Sequence, residues 1–282
     1  MTREDDTPGI AVIGGGLTGL MTAAALSHAG PRVHLIDRAE SDAAHPDERT
    51  TTINAAGARM LAALGAWDRL KTPPAPVTRI AVAEGPTPTG LAGRRRQESD
   101  LSWQSGDTPM GYVVANAALQ SALRETLSTT TVIEHRGSRV TGWLASDTIL
   151  SLGLSDAAGH EETMETALVV ACDGAQSMMA ELAGLGSRKE QQRQTAIVTT
   201  LRAERPHEGT AFQRFLPTGP FALMPGPGDA GGYEMSLVWP LPNDTTHQLI
   251  AADNASFEAA CLEAFGSRLG YLALAGKRLA WP

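Results

Sequence analysis

The run Gly9-Ile10-Ala11-Val12-Ile13-Gly14-Gly15-Gly16-Leu17-Thr18-Gly19 constrains this chain more than any other feature. A short β-branched strand ends in three glycines and passes directly into residues at helical spacing, Leu20, Ala23, Ala24 and Leu26. That pattern predicts a buried parallel strand turning into a helix from Leu17 to Ala29. Gly30-Pro31 stops the helix, and Arg32-Val33-His34-Leu35-Ile36-Asp37 supplies a second strand that ends in an acid. The spacing satisfies GxGxxG inside a βαβ unit, the fingerprint of a dinucleotide site.

Each position has a physical task. Gly14 permits the tight turn, Gly15 continues it, Gly16 lets the backbone approach a pyrophosphate, and Gly19 allows close helix packing. The helix start at Leu17 and Thr18 offers unpaired N–H groups to the anion. Asp37 accepts hydrogen bonds from ribose hydroxyls and disfavours a 2′-phosphate, so NADP fits this position worst. FAD and NAD are not separated by this element alone.

Further along, 52–70 has helical spacing through Ala56, Met60, Leu61, Leu64 and Trp67, and Pro73-Pro74-Pro76 marks a boundary. The stretch 77–110 carries one alternating strand, 79–83, and otherwise resembles loops. A helix is predicted over 116–127, with strands at 131–133, 139–144 and 149–154. The apolar run Ala167-Leu168-Val169-Val170-Ala171-Cys172 ends at Asp173-Gly174, as a buried strand does where its carboxyl end reaches a ligand crevice. Strands separated by Gly and Pro turns over 195–250 suggest an antiparallel sheet, followed by a helix over 256–265.

Composition removes several function classes. The chain of 282 residues is 42% hydrophobic with a net charge of −8, and its densest basic run, Arg94-Arg95-Arg96, has no interleaved aromatics, which argues against nucleic-acid binding. That triplet reads as a solvated loop. Cys172 and Cys261 are the only cysteines and form no CxxC pair, so a disulfide framework and a zinc site are unsupported and a cytoplasmic setting fits. The histidines show no HExxH pairing, and no metal is expected. GxSxG and P-loop signatures are lacking. No stretch reaches the ~20 apolar residues of a membrane span, so membrane contact at the inner membrane would be peripheral.

Several further segments resemble the FAD-dependent aromatic-ring monooxygenases, and the hydroxylases of ubiquinone biosynthesis in particular. Asp47-Glu48-Arg49-Thr50, ahead of Leu64-Gly65-Ala66-Trp67, is similar to the segment in which that family sets an arginine against the flavin. The resemblance therefore makes Arg49 a cofactor contact. Local charge alone makes it a helix-start arginine paired with Asp47 or Glu48. Asp173-Gly174-Ala175-Gln176-Ser177 is similar to the family's second fingerprint, an Asp-Gly turn near the pyrophosphate, although Asp-Gly is also a common turn pair and Asp173 a candidate helix cap. Where the family continues to an arginine, this chain has Met178-Met179-Ala180. Arg38, beside Asp37, and Asn116, at the start of a helix, complete the candidate cofactor contacts.

The most discriminating likeness is the segment 209–225, Gly209-Thr210-Ala211-Phe212-Gln213-Arg214-Phe215-Leu216-Pro217 with Phe221-Ala222-Leu223-Met224-Pro225, followed by Ser236-Leu237-Val238-Trp239. It is similar to the substrate-domain strands of the ubiquinone hydroxylases, and the likeness continues through Phe265-Gly266-Ser267-Arg268-Leu269-Gly270 to Trp281. The family goes on to a Gly-Asp-Ala-Ala-His-type segment that this sequence does not contain, so the resemblance implies a C-terminally truncated member lacking a wall of the flavin site and the following helical part.

The implied fold is α/β. A Rossmann-like FAD-binding domain (1–75 and 112–185) is interleaved with an antiparallel-sheet substrate domain (76–111 and 186–282). The implied reaction is hydroxylation of an aromatic ring, a polyprenylated phenol, with FAD as cofactor, NADH or NADPH as reductant and O2 as oxidant, and with membership of a ubiquinone-biosynthesis complex. Flavin carries the difficult chemistry in such enzymes, so no catalytic triad is expected and no catalytic residue is nominated. Arg214, Phe215 and Phe221 are substrate-side candidates, although aromatics alternating on strands usually form core. Two other classes share part of these features. A nicotinamide-dependent dehydrogenase accounts for the first βαβ unit alone, and a non-catalytic accessory subunit accounts for a shortened chain.

Overall fold

The structure is a computed structural model and describes residues 8–40, 47–85, 101–186 and 193–281. The Arg94-Arg95-Arg96 run lies outside the described residues. The elements of the first half, in chain order, are β1 (Gly9–Ile13), α1 (Leu17–His28), β2 (Val33–Asp37), β3 (Thr50–Asn54), α2 (Ala55–Ala63), β4 (Ala75–Val77), β5 (Arg79–Glu84), β6 (Leu101–Gln104), β7 (Gly111–Ala115) and α3 (Asn116–Leu127). The second half adds β8 (Ile133–Arg136), β9 (Arg139–Ala145), β10 (Leu150–Ser155), β11 (Glu161–Ala171), α4 (Met178–Leu182), β12 (Gln194–Ala203), β13 (Thr210–Leu216), β14 (Gly219–Pro225), β15 (Glu234–Pro242), α5 (Asn243–Ala251), α6 (Asn254–Phe265), β16 (Leu272–Leu274) and β17 (Leu279–Trp281). The chain divides into two compact units, residues 1–48, 59–71 and 116–189 in one and 49–58, 72–115 and 190–282 in the other.

The first unit is the Rossmann-like half. Its sheet runs β8-β2-β1-β11-β10-β9. The first four strands are mutually parallel, and β10 and β9 extend the sheet antiparallel. β1 lies between two strands, and its Ala11 and Val12 are completely buried, which is why this segment is a continuous apolar run without polar alternation. Ala11, Ile13 and Ile36 form one core cluster with Val140, Leu152, Leu154 and Met179. Each fully buried Leu or Ile here contributes about 1.5–3 kcal/mol. α1 packs on α3, burying Leu20 and Ala23 of one and Leu119 and Leu123 of the other.

The second unit holds a large sheet in the order β16-β12-β15-β14-β13-β5-β6, with β17 also paired to β12. All its ladders are antiparallel except β13 with β5. Period-2 alternation gives it one apolar face, and α6 covers that face: Ile197, Leu201, Phe212, Phe221, Leu223, Leu237 and Trp239 pack with Phe257, Cys261 and Phe265. Phe221 is the hub of the aromatic contacts, edge-on to Trp239 at 4.9 Å and stacked on Phe265 at 5.9 Å between ring centres. A small sheet, β3-β7-β4, packs its Ala75, Val77 and Val113 against Ala211, Ile80 and Met224.

Several segments differ from the sequence expectation, among them 243–251, expected as part of a sheet and folded as the helix α5. The helix predicted to begin near Thr52 starts as strand β3, because Thr50-Thr51-Thr52-Ile53 is a β-branched run that pairs with β7 over its whole length. The helix proper is confined to Ala55–Ala63. The stretch 77–110 also contains β6, paired with β5 through Ile80 and Trp103. Residues 49–58, 72–75 and 112–115, which the sequence reading places with the nucleotide-binding part, lie in the second unit, where β3 and β4 both pair with β7.

Candidate dinucleotide site

In the first unit the glycine loop follows β1, and its geometry explains each glycine. Gly14 has φ of +106°, a conformation open to glycine and strained for other residues. Its N–H donates to the Ile36 carbonyl at 2.8 Å. A Cβ on Gly14 would lie 2.7 Å from the carbonyl carbon of Cys172 and 2.9 Å from the Asp173 Cα, so the two fingerprints predicted from sequence touch here, backbone to backbone. On Gly15 a Cβ would sit 2.9 Å from the Asp37 Cβ and strike its carboxylate. On Gly19 it would strike the Gly14 carbonyl and approach the Cys172 Cβ to 3.4 Å, so this glycine sets how closely α1 approaches the strands.

Gly16 is different, since a Cβ there would meet nothing within 4 Å. It is the N-cap of the 12-residue α1, and no side-chain hydrogen bond caps that end. Leu17 and Thr18 form the first turn, which carries no acidic residue. The site is thus a helix N-terminus with uncapped N–H groups, open space in front of it and no competing negative charge in the turn. These residues fit a dinucleotide pyrophosphate.

Asp37 closes β2 beside this loop. Its Oδ1 accepts from the Ala39 N–H at 3.3 Å, and its Oδ2 accepts from Arg124 Nη2 at 3.3 Å. Arg38 next to it is exposed. Asn116, the first residue of α3, is buried and donates through Nδ2 to Asp47 at 2.9 Å. Asp173 takes the Ser177 hydroxyl on Oδ1 at 2.6 Å and the Met179 N–H on Oδ2 at 3.0 Å, while Ser177 caps α4 through the Ala180 N–H. Burial pushes the Asp173 carboxyl up, but the hydrogen bonds from Ser177 and Met179 outweigh it and hold the group below the ordinary carboxylate range. Its side chain therefore has the geometry of a cap. Gly174, exposed with φ of +89°, leaves the turn's backbone open.

Arg49 lies in the second unit, where its guanidinium stacks on Trp281 at 3.7 Å from the ring centre. The structure thus gathers Gly14 to Gly19, Asp37 and the Asp173-Gly174 turn at the carboxyl ends of β1, β2 and β11, with Arg38 and Asn116 in the same unit. Sequence reasoning missed Arg124. Its one signal is a cation on the buried side of the amphipathic α3, between Leu123 and Leu127. The substrate-side candidates separate: Arg214 and Phe221 are buried, Phe221 within the core under α6, whereas Phe215 is 47% exposed. The ladder partners place Phe215, Val238 and Trp281 on the sheet face opposite α6.

Among the described residues no group of three or more His, Cys, Asp or Glu is placed to hold a metal ion, and no helix is long and apolar enough to cross a membrane. Both cysteines are free thiols.

The chain is 34% identical to the ubiquinone hydroxylase UbiL of Rhodospirillum rubrum over 98% of its own length and 62% of that protein's. It is 29% identical to the 3-demethoxyubiquinol 3-hydroxylase of Escherichia coli, over 93% of this chain and 65% of that one. It therefore spans less than two thirds of the length of either relative. Among solved structures, the p-nitrophenol 4-monooxygenase PnpA of Pseudomonas putida DLL-E4 superposes with a TM-score of 0.68 at 18% identity, covering 97% of this chain and 69% of that one, a likeness of fold. The match to the FAD binding domain family extends over residues 7–275, nearly the whole chain, and the chain belongs to that family.

Proposed function

We propose that this chain is the FAD-binding and substrate-sheet portion of a monooxygenase that hydroxylates an aromatic ring, a polyprenylated phenol of ubiquinone biosynthesis, with NADH or NADPH as reductant and O2 as oxidant. The observation that carries this reading is the open, uncapped N-terminus of α1 behind Gly14 and Gly16, with Asp37 beside it, in a chain similar over 98% of its length to a ubiquinone hydroxylase. FAD, when bound, supplies the oxygen-transfer chemistry. The α1 N–H groups and the Gly14–Gly16 backbone receive the pyrophosphate, and Asp37 receives the adenosine ribose. In this reading Arg38 and Asn116 are further cofactor contacts, and the Asp173-Gly174 turn, whose backbone lies against Gly14, serves the pyrophosphate.

On the second unit, the face of the large sheet that bears Phe215 and Val238 offers the substrate an apolar wall, since these side chains point away from α6. Arg49 serves the cofactor in this reading from the strand-start position ahead of β3. Peripheral contact with an inner-membrane surface and association with other ubiquinone-biosynthesis proteins follow from the same assignment.

The test is the absorbance spectrum and FAD stoichiometry of the purified chain, with and without added FAD, against a Gly14→Ala/Gly16→Ala control. Near-stoichiometric flavin that the control loses supports the reading and leads to NAD(P)H-oxidation assays with prenylphenols. Absence of flavin in excess FAD overturns it, and binding of NAD without flavin replaces it with a dehydrogenase.

A further inference from the structure

Arg124 has no assigned role, yet it is the most deeply buried cation beside the glycine loop, with a side chain 8% exposed. It projects from α3 toward three elements of the first unit. Nη2 donates to Asp37 Oδ2 at 3.3 Å and to the Gly15 carbonyl at 3.4 Å, so a single nitrogen bridges the acid at the end of β2 and the second glycine of the loop. Nη1 donates to Glu134 Oε2 on β8 at 3.0 Å, and the same oxygen accepts from Arg136 Nε at 2.8 Å. The resulting alternation, Asp37, Arg124, Glu134, Arg136, carries no net formal charge. A guanidinium this deeply buried is tolerated because both arms of its fork meet carboxylates.

We infer that Arg124 is a positioning residue for the ribose end of the dinucleotide: it fixes the Asp37 carboxylate in one rotamer and tethers the Gly15 carbonyl. This rests on the reading of Asp37 as the ribose acceptor. A free Asp carboxylate at a strand end samples several rotamers, and ordering it on binding costs affinity; a neighbour that orders it beforehand removes that cost. Because the peptide is planar and trans, holding the Gly15 carbonyl toward Arg124 also turns the Gly16 N–H the opposite way, away from the guanidinium. One side chain thus sets both the acceptor for the sugar and the peptide that precedes the helix N-terminus. Lysine in its place keeps the charge and loses the fork.

The test uses the whole chain with two probes, ADP and 2′,3′-dideoxy-ADP, whose affinity ratio reports hydrogen bonding to the ribose hydroxyls alone. With Asp37 as acceptor the unsubstituted chain favours ADP by about tenfold, the worth of one charge-assisted hydrogen bond. D37N flattens that ratio. The inference expects R124Q to flatten it as well, R124K to restore only part of it, and the D37N/R124Q double variant to be no flatter than D37N, while FAD affinity falls in parallel. Preference for ADP that survives R124Q yet disappears in D37N overturns the positioning role and leaves the Asp37 reading intact. A ratio near one in the unsubstituted chain, or no binding of either probe, overturns the Asp37 reading and the inference with it. Circular dichroism checks folding of each variant; if R124Q does not fold, R124K decides, an unchanged ratio overturning the inference.

Discussion

The backbone of Gly14 rests against the Cys172 carbonyl so closely that a methyl group cannot be placed between them: its carbon would lie 2.7 Å from the carbonyl carbon. This contact joins the end of β1 to Cys172, the residue after β11, whose N–H donates to the Ile13 carbonyl at 2.7 Å. Gly16, two residues on, faces open space. The two glycines therefore make different predictions. Gly14→Ala strains a φ of +106° and forces the strand ends apart, so it lowers the melting temperature and abolishes FAD binding together. Gly16→Ala has a permitted φ of −74° and no clash, so it costs about 1 kcal/mol or less in stability, yet its methyl stands before the α1 N–H groups and weakens FAD binding by about tenfold or more. Thermal melts beside flavin fluorescence titrations check both.

The thiols give a second contrast. Cys261 is completely buried in the core under α6, and burial, with Glu258 adding to it, pushes its thiol up to about 12. Only the thiolate reacts, so Cys261 is inert in the folded chain. Cys172 is half-buried, beside the glycine loop. A thiol reagent at mildly alkaline pH is expected to label Cys172 alone until the chain is unfolded, as read by mass spectrometry. Labelling of Cys261 under native conditions would contradict the packing described.

The βαβ fingerprint was legible because its requirements are local: glycine positions, strand polarity and a terminal acid are fixed by adjacent residues. What escaped was set by distant partners. β3 reads as a helix start until β7 pairs with it, and β6 reads as loop until β5 does. α5, Asn243-Asp244-Thr245-Thr246-His247, has polar residues of low helix propensity and folds over β12, where the buried Thr246 hydroxyl donates to the Thr195 carbonyl at 2.8 Å. Arg49 shows the same limit, since its stacking on Trp281, more than two hundred residues away in sequence, has no local signal. Arg124 needs Asp37, Gly15 and Glu134 brought together before its position has meaning.

Two histidines predict the acid side of the stability curve. Burial holds His34 below its ordinary value of 6.5, and His135, whose Nε2 lies 3.0 Å from His34 Nδ1, and Arg32 add to this. The two facing ring nitrogens can share one proton, not hold two. Burial likewise lowers His207, against a smaller upward pull from Asp229, and its Nδ1 accepts from the Gly209 N–H at 3.0 Å. With folded-state values depressed, the unfolded chain binds the extra protons. Stability is then full above about pH 6.5 and falls as the pH drops from there through the folded-state values. Melting temperatures at ~pH 7.5 and ~pH 5.5 check this. H207N keeps an acceptor for Gly209 and removes the titration, so its melting temperature is expected to fall less over the same interval. An equal fall in H207N would assign the acid sensitivity to other groups.

The aromatic side chains of the large sheet separate core from candidate substrate wall. Phe221 is fully buried against Trp239 and Phe265, and Phe221→Ala leaves a cavity among them, with an expected cost of about 3–5 kcal/mol. Phe215 on β13 is 47% exposed on the face away from α6, so Phe215→Ala changes stability by about 0.5 kcal/mol or less. If that face receives an apolar aromatic substrate, F215A lowers affinity for a prenylphenol while leaving FAD binding unchanged, measured by quenching of protein fluorescence on titration. F221A loses both with the fold. Unchanged prenylphenol affinity in F215A removes Phe215 from the substrate assignment, and unchanged affinity in a V238A variant as well removes this face, since Val238 is the other exposed side chain of the proposed wall.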